Sequence, residues 1–165
     1  MSHVTRAYKV YASAAPMDDP WKKAMSFDVL GDLNWLAVIV AAVAYFVLGA
    51  VWYAPPVLGN AWMRAGGVEV PEDERPGVGV YLVPLVGALL SSIALGMLAE
   101  ASGTDTAGEG LVLGIVAALG FALAVVLTIA NFETGKPRPM TWGAIQVGYY
   151  GLGIIIAAVI IGAWQ

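Results

Sequence analysis

Apolar residues along the chain fall into four long blocks, over about residues 33–53, 78–99, 110–132 and 142–164. No Asp, Glu, Lys or Arg interrupts the interior of any block. A helix rises about 1.5 Å per residue, so about 20 such residues cross the roughly 30 Å of hydrocarbon in a bilayer. The pattern predicts an all-α polytopic membrane protein. Its 33–165 region forms an antiparallel bundle of four transmembrane helices behind a polar tail, 1–32. The blocks are separated by VEVPEDERPG, a charged and proline-punctuated connector, and by ASGTDTAGEG, a short turn at residues 101–110.

Aromatic placement points the same way. Trp35, Trp52, Trp142 and Trp164 fall at block ends and Trp62 just beyond one, where indole meets the headgroup zone. The stretch VWYAPPVLGNAWMRAGG, residues 51–67, closes the first block with two prolines. Proline disfavours helix at the residue before it, which ends the first span near Ala54, and it is tolerated in the first turn of a new helix. Val57, Leu58, Ala61, Trp62 and Ala65 then make one apolar stripe, and Gly66-Gly67 supplies a stop. This predicts a short interfacial helix over about 56–66. Small residues recur at helical spacing: Ala88, Ser92 and Gly96 on span two, Gly114 and Ala118 on span three, Gly153 and Ala157 on span four. Such faces suit close packing within the chain or between copies of it.

Composition narrows the function classes. The 165 residues are 59% hydrophobic and only 12% charged, against about 25% charged in soluble domains, so lipid is the expected solvent. There is no cysteine, which excludes disulfides, thiolate metal sites and cysteine nucleophiles. The one histidine, His3, lies in the polar tail, and neither a metal site nor a cofactor motif is expected. A formal charge of −4 argues against nucleic-acid binding.

Residues 1–24 contain Arg6, Lys9, Lys22 and Lys23 and no signal-peptide apolar core. MSFDVLGDLNW, from Met25, reads as a natural beginning for a short-tailed membrane protein. With the full tail, basic residues tie between the two sides; from Met25 they lie only at Arg64, Arg75, Lys136 and Arg138. By the positive-inside rule, loops 54–77 and 133–141 are then cytoplasmic, with both termini outside.

WYAPPVLGNAWM follows NWLAVIVAAVAYFVLG and is answered later by NFETGKPRPMTWGAIQVGYYGLG. Together, over Asn34 to Trp164, these resemble the bacterial family called domain of unknown function 1761. Asn34, Trp35, Trp52, Tyr53, Pro55, Gly59, Trp62, Asn131, Glu133, Pro137, Gly148 and Tyr149 occupy its motif positions. Ala54 stands where serine is usual, Leu58 where phenylalanine is, and Thr134 is an extra residue before Gly135. The resemblance implies a four-helix protein of the bacterial inner membrane, with no established activity.

Spans one and three end on the same side, which brings the Pro55-Pro56 loop near NFETGKPRP. Trp52, Tyr53, Trp62, Arg64, Asn131, Glu133, Arg138 and Tyr149 are therefore the candidate lining of one polar, aromatic-rimmed surface pocket. An acid beside bases under indole rings can hold a lipid headgroup or small anion, or serve acid–base chemistry. The simpler reading has Glu133 pairing with Arg138 or Arg64 to staple two loops. Gln146 and Tyr149, three apart on one helix face, can hydrogen-bond inward.

No phosphate loop, H-E-x-x-H or G-x-S-x-G occurs, so no catalytic residue is assigned. A structural, regulatory or accessory membrane role leads. The partners expected are the lipid bilayer and either further copies or other membrane helices. Behind it stand an oligomeric channel or carrier and a headgroup- or anion-binding protein, or enzyme, built around Glu133.

Overall fold

The structure is a computed structural model that describes residues 26–69 and 77–164. The 1–24 tail, the Met25 start and the middle of the charged connector with Arg75 lie outside the described residues. A 3₁₀ turn, Phe27–Gly31, leads into α1, Trp35–Trp52. Asn34 starts this helix, its side-chain oxygen accepting from the Ala37 N–H at 3.2 Å. Ala54 is extended (ψ 138°) as the residue before proline must be, and Pro55–Gly59 forms one wide π-type turn. The Gly59 N–H closes that turn on the Ala54 carbonyl at 3.1 Å. Only glycine fits here, because a Cβ would overlap the Tyr53 carbonyl oxygen. The short helix α2, Asn60–Gly66, follows and stops at Gly67 in the left-handed conformation (φ 67°).

Helix α3, Gly79–Ser102, runs on through Pro84 and ends at left-handed Gly103. Helix α4 spans Ala107–Phe132 and widens to π geometry over Ala118–Leu123. Its start is a capping box: Thr106 accepts from the Glu109 N–H at 3.2 Å, while the Glu109 carboxylate accepts from the Asp105 N–H at 3.1 Å. Helix α5, Pro139–Gly162, begins three residues before the hydropathy block does, since Pro139 suits a first turn. The described residues are all helix and loop, and α1, α3, α4 and α5 are each long and apolar enough to cross a membrane.

Helix α5 is the hub, packing on α1, α2, α3 and α4. It lies antiparallel to α1: the Asn34 amide donates to the Trp164 carbonyl at one end, and the Trp52 indole to the Ile145 carbonyl at the other. It is also antiparallel to α4, where small residues let the backbones touch. A Cβ on Gly114 would lie 2.8 Å from the Ile155 Cα, and one on Gly143 2.6 Å from the Ala130 methyl. With no water to expel from lipid, such close approach is what holds spans together. The tightest core joins Ala41, Leu95, Ala99, Ala157, Ala158 and Ile161. Ala88, Ser92, Gly96, Gly114, Ala118, Gly153 and Ala157, the small residues picked out by spacing, all face this interior.

Helix α3 packs along only part of its length. Every residue from Gly79 to Gly87 is exposed, Val83 at 77%, and Ala88 is the first buried one. The first turns of α3 are therefore its least packed part.

Candidate functional site

The first loop and the NFETGKPRP loop do meet. The Arg138 backbone N–H donates to the Ala65 carbonyl at the end of α2, at 3.0 Å. Beside it, Cβ atoms on Gly67 and Gly66 would lie 3.0 Å from Pro137 and 3.1 Å from the Trp142 ring. The candidate residues nevertheless separate into two groups with different surroundings.

The inner group is aromatic. Tyr53, just past α1, donates its hydroxyl to the Gln146 side-chain oxygen on α5. Its ring stands edge-on to Trp62, with centroids 5.6 Å apart, and to Tyr149, 5.3 Å apart. Tyr149, buried, also lies 5.4 Å from Tyr45 and 5.0 Å from Tyr150. Tyr45 crosses to α5, where its hydroxyl donates to the Tyr150 carbonyl at 3.4 Å and its ring fills the gap left by Gly153. Trp52 seals the flank: a Cβ on Gly148 would lie 2.6 Å from its ring. The Trp62 indole N–H is buried without a partner among the described residues.

The outer group is charged and sits on loops. Glu133, more than a third exposed, pairs with Lys136 of its own turn at 3.0 Å. It pairs with neither Arg64 nor Arg138; Lys136, three residues away in the same turn, takes the carboxylate. Lys136 in turn lies 4.6 Å from the centre of the Trp142 ring, a cation–π contact. Arg64, Asn131 and Arg138 are exposed, and among the described residues neither guanidinium forms an ion pair. A shallow groove along α2 is lined by Asn60, Met63, Arg64 and Glu69.

Tyr149 and Glu133 therefore belong to different places, one inside the bundle and one at its rim. Sequence reasoning put Gln146 with Tyr149 on one helix face; the structure gives Gln146 to Tyr53 instead. Lys136, a base the sequence places in the same loop, and Trp142, read there as a span-end indole, complete the Glu133 turn. Among the described residues no cluster of histidine and acidic side chains is suited to a metal.

Comparison with known proteins adds the family. The family model described as "Protein of unknown function (DUF1761)" matches residues 36–162. No curated protein and no solved structure matches the chain. The match takes in all four long helices and the loops that join them, and the chain belongs to the DUF1761 family.

Proposed function

We propose that this protein is a structural or accessory component of the bacterial inner membrane, acting through its helices and the platform formed by α2 and the 133–138 turn. The observation that supports this most is how the polar groups are used. Tyr53, Gln146, Tyr45, Trp52 and Asn34 spend their hydrogen bonds joining helices to one another. Glu133 and Lys136 neutralise each other at the rim. Transport or acid–base chemistry at Glu133 would need that carboxylate in an enclosed, hydrated space; it lies on an open turn.

Charge distribution supports an orientation. Among the described residues, Asp28, Asp32, Glu100, Asp105 and Glu109 lie at one end of the bundle with no Lys or Arg, while Arg64, Lys136 and Arg138 lie at the other beside Glu69 and Glu133. The positive-inside rule puts the α2 end in the cytoplasm. The stripes of small residues are used up inside the chain, so association with copies or partner helices falls to the larger side chains facing outward. The test is reconstitution: native mass spectrometry from lipid nanodiscs for copy number, with ion and small-solute flux measured in proteoliposomes. Flux no greater than in empty vesicles is expected. Robust flux abolished by Glu133→Gln would overturn the accessory reading.

A further inference from the structure

The Arg138 N–H bonded to the Ala65 carbonyl brings two arginines together, since Arg64 directly precedes Ala65. Covalent geometry keeps their Cα atoms within about 10 Å, less than the summed reach of the two side chains. Both are exposed, and among the described residues neither guanidinium makes an ion pair or a hydrogen bond. Lys136, the other base described at this platform, is already taken by the Glu133 carboxylate and the Trp142 ring. The groove along α2 reaches the 133–138 turn through Gly67, which lines the groove and lies against Pro137.

The groove has a mixed wall. Asn60, Arg64 and Glu69 are polar, while Met63 and the exposed Val68 are apolar, which suits an amphiphile. Trp52, Trp62 and Trp142 lie at the same end of the bundle, the level at which indoles meet headgroups. Guanidinium groups take phosphate oxygens two at a time. Among the described residues, Arg64 and Arg138 against Glu69 leave one net positive charge at the groove. A phosphodiester carries one negative charge and matches it; a phosphomonoester carries about 1.5–2. A choline cation beside the same phosphate would face the arginines, so an anionic headgroup is favoured over a zwitterionic one.

We propose that Arg64 and Arg138, at the groove along α2, hold the phosphodiester of an anionic phospholipid. The site rests on the platform of the accessory reading and gives it a ligand. The test is native mass spectrometry of the full chain released from nanodiscs of phosphatidylcholine and phosphatidylglycerol in equal amounts. One phosphatidylglycerol retained per chain, in preference to phosphatidylcholine, is expected. Arg64→Gln and Arg138→Gln should each weaken that retention by about fivefold or more, the worth of one arginine at an anionic surface. Lys136→Gln, whose charge is already neutralised, should change it by less than about twofold. Arg138→Gln keeps the backbone N–H that docks α2, so both arginine variants should match the parent's thermal midpoint in pure phosphatidylcholine. Equal retention of the two lipids overturns the proposal. So does an equal loss in all three variants, which would report only a diffuse surface field. Displacement by inorganic phosphate, but not by chloride at the same ionic strength, would make the ligand a free anion and overturn the lipid assignment. None of these outcomes bears on solute flux, so the accessory reading stands or falls separately.

Discussion

Gly153 offers the sharpest test of how this bundle is held together. A methyl group at that position would overlap the ring of Tyr45, which is buried and wedged between α1 and α5. Alanine gains about 1 kcal/mol over glycine in helix propensity. Against that, forcing a carbon into a filled core costs about 1–3 kcal/mol. Displacing Tyr45 also gives up its long hydrogen bond to Tyr150, about 0.5 kcal/mol at 3.4 Å, and its packing with Tyr149, about 1 kcal/mol. Gly153→Ala should therefore destabilise by about 1.5–3.5 kcal/mol net. The assay is equilibrium unfolding in mixed micelles titrated with a denaturing detergent. In a Tyr45→Ala background the obstruction is gone, and Gly153→Ala should be neutral or stabilising by up to about 1 kcal/mol. Equal costs in both backgrounds would refute the idea that the glycine exists to admit the ring.

Other substitutions separate joints that matter from those that do not. Trp52→Phe keeps an aromatic body but loses the indole bond to Ile145, and should lower stability by about 1 kcal/mol in the same assay. Thr106→Ala removes one half of the α4 capping box; a loss of about 1 kcal/mol is expected, and no change would mean that the helix start is set by the turn alone. Glu133→Gln breaks an exposed pair, so it should shift stability by less than about 1 kcal/mol; a larger loss would make that turn a folding element. Gln146→Leu strands the Tyr53 hydroxyl and should cost about 1–3 kcal/mol, with Tyr53→Phe restoring much of it.

The four spans were legible because lipid imposes a length and forbids charge, and both constraints are written residue by residue. The double proline was equally legible, since its effect on Ala54 is local. What sequence could not give was which spans touch. That α5 is the hub depends on close approaches such as Gly110 to Ala158 and Gly148 to Trp52, and glycines are too common in this chain for any one to announce its partner. The candidate site shows the same divide. Topology correctly brought the two loops together, but depth decides chemistry, and no spacing rule says that Tyr149 lies inside while Glu133 closes on Lys136. The exposure of the first turns of α3 left no trace in a run that is apolar throughout.

With four helices crossing the bilayer, α2 and the 133–138 turn lie on one side and the α3–α4 turn on the other. Because the chain has no cysteine, single replacements at the exposed positions Arg64, Thr134 and Asp105 can be labelled with a membrane-impermeant maleimide in sealed vesicles of one orientation. The same reactivity is expected at 64 and 134 and the opposite at 105. Labelling of all three from one side would contradict the account.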